Sequence, residues 1–127
     1  LSCVLRIASR HGSALLTGDI EAADEMQLLD RYADALASDV LIAPHHGSNT
    51  SSTMQFLAAV QPADAIFTVG YRNRFGHPRP NIIERYRLIG TAMYRSDEDG
   101  AVTMRFDQAG IGVERERQVR RRYWHGA

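Results

Sequence analysis

Three side chains in this sequence have the types and spacing that metal-dependent hydrolysis requires. Asp19 follows the apolar run Leu15-Leu16-Thr17-Gly18, and the adjacent pair His45 and His46 follows Val40-Leu41-Ile42. Carboxylate oxygens and imidazole nitrogens are ligands of zinc and manganese in hydrolytic sites, where the cation activates water and polarises the scissile group. One catalytic zinc takes three protein ligands and a two-metal site takes more, so these residues predict part of a metal site.

Each candidate also has a structural interpretation. Asp19 alone would serve equally well in a turn or as a helix cap, and it is the neighbouring histidine pair that favours the ligand role. For His77, substrate contact or proton transfer and simple bracing of its loop fit equally well. Four further residues could donate hydrogen bonds to phosphate oxygens, although turns and caps explain them too. They are Ser48, Ser51, Ser52 and Asn73.

The elements that must position these residues are strands alternating with amphipathic helices. The first helix is predicted over residues 21–37, the second begins after a cap at Ser51 or Ser52, and the third includes the segment from Ile82 to Ile89. Ser96 to Gly100 is predicted as a turn. Strands are predicted at Cys3 to Ala8, Ala14 to Thr17, Asp39 to Ala43, Asp64 to Gly70, Ala92 to Arg95 and Ala101 to Phe106. This alternation predicts an α/β fold in which the strand-end loops meet at one edge of the sheet.

The composition is that of one globular domain without a global charge. The 127 residues are 44% hydrophobic and 24% charged, and 15 arginines balance 15 acids with no lysine. Any affinity for nucleic acid or membrane must therefore be local, and the arginine-rich tail is its most basic segment. The single cysteine, Cys3, excludes an intrachain disulfide, and its apolar neighbours predict a buried, inert thiol. No apolar stretch is long enough to span a bilayer.

Several motifs in a fixed order resemble the ComEC family of DNA-internalisation proteins. They are Thr17-Gly18-Asp19, then Pro44-His45-His46-Gly47-Ser48 with Ser51-Ser52, and finally Gly70, Asn73, Phe75 and His77-Pro78. The resemblance spans roughly residues 3 to 106. It implies an α/β fold that is half of the αββα metallo-β-lactamase sandwich, with a mixed sheet flanked by helices. Residues 1–113 would form the C-terminal half of that domain, and residues 114–127 a basic C-terminal tail.

The resemblance also implies an activity and a role for each candidate. The activity is metal-dependent hydrolysis of DNA phosphodiester bonds during bacterial transformation, with two divalent ions, zinc or manganese, in the complete domain. Asp19 would bridge the ions, and His46 is favoured over His45 as the direct ligand. His45 and His77 would be catalytic, contacting the phosphate or assisting the leaving group. The residues that would bind substrate are Ser48, Asn73, Ser51 and Ser52.

One departure from the family pattern concerns the missing ligands. The family's first metal motif, His-x-Asp-x-Asp-His, does not occur in these residues. We therefore expect a piece of a longer protein that binds metal weakly or not at all and is inactive by itself. Alternatives are a hydrolase of another phosphoester and a non-catalytic DNA-binding or structural fragment.

The resemblance further implies partners and a location. The expected partners are single-stranded DNA, the N-terminal half of the same domain, and the membrane-spanning channel region of the parent protein. The parent protein would lie in the bacterial inner membrane, with this domain outside the cytoplasm. An uncovered sheet edge and apolar face also predict self-association of the fragment.

Overall fold

The computed structural model describes residues 3–70 and 76–119, which form a five-stranded sheet, a two-stranded sheet and helices. The strands are β1 Leu5–Ser9, β2 Gly12–Leu16, β3 Val40–Ile42, β4 Asp64–Phe67, β5 Ala92–Arg95, β6 Val102–Asp107 and β7 Gly110–Arg115. The helices are α1 Ala22–Tyr32, α2 Met54–Val60, α3 Pro80–Leu88 and the single turns α4 Ser96–Asp99 and α5 Glu116–Val119. Short 3₁₀ segments occupy Ala33–Ala35 and Pro44–Gly47. None of the helices in the described residues is long and apolar enough to cross a membrane.

The larger sheet is mixed and has the order β1-β2-β3-β4-β5. β1 pairs antiparallel with β2, and β2 to β5 run parallel to one another. Parallel pairing requires crossover connections, which α1, α2 and α3 supply between successive strands. The carboxyl ends of β2, β3 and β4 consequently lie at the same edge of the sheet.

Side chains of the central strands alternate between two apolar layers. Leu41 of β3 packs among residues of α2 and α3, whereas its neighbour Val40 packs with the β6–β7 hairpin. Ala65 and Ile66 of β4 divide in the same way. The sheet is therefore covered by helices on one face and by the hairpin on the other, which explains why β3 is wholly apolar.

The predicted α/β class and the mixed sheet flanked by helices are confirmed. The order of strands and helices also follows the sequence prediction as far as β5, and β6 is present as predicted. The assignment to half of a metallo-β-lactamase sandwich goes further than this α/β description and stays a prediction, as does the proposed division of the chain at residue 113.

Several local predictions were wrong. The α-helix ends at Tyr32, not at 37, because the backbone leaves helical geometry at Tyr32 (φ −135°) and tightens into a 3₁₀ turn. The cap of α2 is Thr53, whose side chain accepts a hydrogen bond from the backbone N–H of Phe56 at 3.2 Å. Cys3 is exposed because it precedes β1, an edge strand whose residues are all exposed.

The C-terminal end of the fold also departs from the prediction. Residues 96–99 form a helical turn, and a further strand, β7, follows β6. In β7, Ile111 and Val113 alternate with Gly110 and Gly112, and these glycines weaken the strand pattern in the sequence. β7 extends to Arg115, and the proposed division of the chain at residue 113 stays a prediction.

Candidate functional site

Two hydrogen bonds join the loop that follows β2 to the loop that follows β3. The buried hydroxyl of Thr17 donates to the backbone oxygen of Ile42 at 2.6 Å, and the backbone N–H of His45 donates to the oxygen of Gly18 at 2.8 Å. These bonds hold the loop of Asp19 beside the histidine pair. The convergence expected from parallel strand ends is thus observed for these two loops.

The histidine pair lies in a turn with left-handed backbone geometry. His45 has φ 50° and His46 has φ 57°, a region that costs a non-glycine residue about 1–3 kcal/mol and persists only where surrounding contacts enforce it. One such contact comes from Gly47 (φ 85°), where a Cβ would lie 2.4 Å from Cβ of Pro78. The backbone N–H of Arg79 also donates to the oxygen of Gly47 at 3.0 Å. The turn is therefore packed directly against the segment that carries His77.

His46 uses its two ring nitrogens differently. Nδ1 lies 2.7 Å from the backbone oxygen of Thr68, and because a carbonyl oxygen only accepts, Nδ1 carries the hydrogen. In the neutral ring, Nε2 then presents its lone pair, and it lies 3.2 Å from Oδ1 of Asp19. Two acceptor atoms at this distance are suited to share a cation or a proton.

The distance between these two atoms fits a shared metal ion. Ligands placed 2.0–2.2 Å from a tetrahedral zinc lie about 3.4 Å apart, close to the 3.2 Å between Nε2 of His46 and Oδ1 of Asp19. The hydrogen bond from Nδ1 to a backbone oxygen is the usual means of orienting a histidine ligand. The side chains of His46 and Asp19 are 48% and 60% exposed, so further ligands can reach them.

His45 lies beside a carboxylate that the sequence did not reveal as part of the site. Its Nδ1 lies 3.6 Å from Oε1 of Glu21 and 3.4 Å from the hydroxyl of Thr50, which donates to the same carboxylate oxygen at 3.3 Å. Glu21 also precedes α1 as its N-cap residue. In the sequence, Glu21 looks like an ordinary acidic residue at the start of a helix. Its contact with His45 becomes visible only in the structure.

His77 completes a group of three imidazoles. Its ring centroid lies 6.0 Å from that of His45, which in turn lies 6.4 Å from that of His46. Burial lowers the pKa of His77, and electrostatic interactions with Arg79, His45 and His46 lower it further. The three imidazoles therefore lie close together, with the guanidinium of Arg79 acting on His77.

The serine candidates have positions of two kinds. Ser48 lies in the histidine loop and is 6% exposed, with its hydroxyl 3.0 Å from that of Thr50, an exposed residue. Ser51 and Ser52 are only 1% and 0% exposed and bond to protein groups, so both support the loop from inside and we leave them out of the proposed substrate-binding residues. Asn73 lies outside the described residues.

The described residues do not contain a complete set of metal ligands. Across 3–70 and 76–119, no group of three or more histidine, cysteine, aspartate or glutamate side chains is placed to hold one ion. Asp19 and His46 form the pair with suitable donor chemistry. A complete site would need ligands from elsewhere.

The chain is similar over nearly its whole length to segments of longer bacterial proteins. It is 39% identical over 97% of its length to "Competence protein ComA" of Neisseria gonorrhoeae and 30% identical over 83% to "ComE operon protein 3" of Bacillus subtilis. It is also 34% identical over 91% to "Recombination protein 2" of Haemophilus influenzae. The chain spans only 18%, 13% and 14% of these three relatives. No family model matches it.

Proposed function

We propose that this chain is part of a metal-dependent hydrolase domain, with a metallo-β-lactamase fold, in a DNA-uptake protein. The proposed reaction is hydrolysis of DNA phosphodiester bonds. Similarity to proteins named for competence supports the biological role. The observation that carries the chemistry is the Asp19–His46 pair, 3.2 Å apart, with Nδ1 of His46 bonded to the oxygen of Thr68.

The proposed roles follow from the contacts of each residue. Asp19 and His46 hold one or two divalent ions, zinc or manganese, which when bound supply Lewis acidity for activating water and polarising the phosphate. His45, held at Nδ1 by Glu21, turns its Nε2 away from that carboxylate and contacts a phosphate oxygen. His77 contacts the phosphate or assists the leaving group, and Ser48 and Asn73 contribute to substrate binding.

The remaining ligands come, in this proposal, from the N-terminal half of the same domain in a longer parent protein. An uncovered apolar patch supports this: Leu5, Ile7 and Leu16 are 55%, 54% and 37% exposed on paired strands. Their side chains share a face with Ala14, which packs toward the β6–β7 hairpin, so the patch continues a partly covered layer. Such a surface also favours self-association of the isolated chain, and a monodisperse monomer in dilute solution would contradict that.

The location follows only from the proposed parent. We propose a bacterial inner-membrane protein whose membrane-spanning channel region adjoins this domain, with the domain outside the cytoplasm. Single-stranded DNA is the proposed substrate and partner.

Nuclease activity on single-stranded DNA tests the proposal. We expect Mn²⁺- or Zn²⁺-dependent cleavage by a longer version of the protein that includes the preceding segment. Neither the 127-residue chain nor the longer Asp19→Asn variant should cleave. Asn has nearly the same size as Asp but lacks the negative charge, so the variant separates metal binding from folding.

A second candidate function is a binding module without catalysis. The observation in its favour is that the described residues supply two ligands and not a complete set. DNA binding by the longer version without cleavage under any metal would support this module and contradict the hydrolase.

A further inference from the structure

Glu25 of α1 is a buried carboxylate that the proposed chemistry does not use. Its side chain is fully buried, and burying a carboxylate costs free energy unless hydrogen bonds offset the loss of water. Oε2 accepts from the backbone N–H of Ser52 at 2.6 Å. Oε1 accepts from both the backbone N–H and the hydroxyl of Thr53 at 2.8 Å. Both oxygens thus bind the end of the loop that carries the histidine pair.

Helix α3 binds the same stretch of loop from another side. Nη1 of Arg85 donates to the backbone oxygens of Ser51 and Ser52 at 3.3 and 3.0 Å. The hydroxyl of Tyr86 lies 2.8 Å from that of Ser52, and burial raises the pKa of Tyr86, which therefore stays protonated. Ser52 has a left-handed backbone (φ 55°), so these contacts stabilise a strained residue.

A short hydrogen-bonded path connects this stretch to the histidines. The hydroxyl of Ser51 lies 2.9 Å from the backbone oxygens of both Pro44 and Ser48, the residues on either side of the His45–Gly47 turn. A displacement at Ser52 would therefore reach both ends of the turn. The turn is the element that sets the distance from His46 to Thr68 and to Asp19.

We propose that Glu25 is a positioning residue that fixes the histidine turn, so that His46 keeps Nδ1 on Thr68 and Nε2 toward Asp19. The inference rests on the proposed metal site for its functional meaning. Glu25 acts through Ser52 and Ser51 and touches neither the metal ligands nor the substrate.

The test is Glu25→Gln, which keeps the size of the side chain and replaces one acceptor oxygen with an NH₂ donor facing a backbone N–H. The readout is the imidazole ¹⁵N shifts of His46 in the metal-free 127-residue chain. The spectra are recorded at a pH about two units above the ordinary histidine pKa of ~6.5, where a free imidazole is neutral. We expect one tautomer with hydrogen on Nδ1 in the wild type and a tautomer mixture in the variant.

Thr91→Val is the matched control. It removes the buried hydrogen bond from Thr91 to the oxygen of Pro62, which precedes β4 and so lies at the opposite end of the sheet. We expect it to lower the thermal midpoint while leaving the His46 shifts at wild-type values. Wild-type shifts in folded Glu25→Gln would overturn the proposal. If Glu25→Gln does not fold, Tyr86→Phe, which removes the hydroxyl beside that of Ser52, takes its place. That variant must then show the same mixture of His46 tautomers.

Metal affinity in the longer version gives a second readout. We expect Glu25→Gln to weaken Mn²⁺ binding by ~10- to 100-fold at temperatures where it stays folded, as for other groups that orient a ligand. Unchanged affinity would overturn the proposal. If the wild type binds no Mn²⁺, the proposed function fails, while the metal-free tautomer result still decides the role of Glu25.

Discussion

At the scale of single residues, the site depends on which nitrogen of each imidazole faces which partner. His46 directs Nδ1 to a backbone oxygen and Nε2 to Asp19, whereas His45 directs Nδ1 to Glu21. The adjacent histidines thereby contact different carboxylates and do not compete for one partner. His77 adds a third ring, whose centroid lies 6.0 Å from that of His45.

The lowered pKa of His77 predicts a dependence of stability on pH. The unfolded chain, with an ordinary histidine pKa of ~6.5, binds a proton at His77 more readily than the folded chain does. The free energy of unfolding should therefore fall as the pH drops below ~6.5 and level off below the folded-state pKa. We expect His77→Gln to make this decline shallower in urea titrations with a chelator present. An unchanged decline would contradict the assignment.

At the scale of elements, the histidine turn is held by contacts from β2, β4, α1 and the segment before α3. Gly47 leaves no room for a side chain, because an added Cβ would meet Pro78 at 2.4 Å and Phe67 at 3.0 Å. Its φ of 85° also disfavours any side chain. A larger residue at position 47 would therefore break the present contact between the turn and the segment that carries His77.

Gly47→Ala should both destabilise the chain and separate His77 from His45. We expect a loss of ~2–4 kcal/mol in the free energy of unfolding, because overpacking and left-handed strain add. Gly70→Ala is the matched control, since an added Cβ there meets nothing within 4 Å. Equal stability of the two variants in chemical denaturation would show that the close contact with Pro78 is absent.

The same elements show what the sequence could and could not predict. Apolar periodicity located β3 and the crossover helices, and the parallel strand ends explained why Asp19 lies near His46. The contact of Glu21 with His45 depends on the left-handed turn, and a pair of histidines in a sequence does not predict left-handed backbone geometry. Likewise, serines in a polar loop suggested substrate contact, whereas tertiary packing buries Ser51 and Ser52 under α1 and α3.

At the scale of the whole molecule, two features are consistent with the proposal that a further segment completes the site. The edge strand β1 exposes Leu5 and Ile7, and the described residues place the Asp19–His46 pair together without a third candidate metal ligand. Relatives several times longer than this chain contain the matching segment. A single missing segment that contributes both an apolar cover and the remaining ligands accounts for both features.

The measurement that tests this account most directly is the Mn²⁺ affinity of the longer version with and without His46. We expect measurable binding by the wild type and by the control His11→Gln, which removes a histidine from the β1–β2 turn. His46→Gln should bind at least ~10-fold more weakly, because it removes a ligand itself and not merely a group that orients one. Equal affinity in all three proteins would contradict the assignment of His46 as a metal ligand.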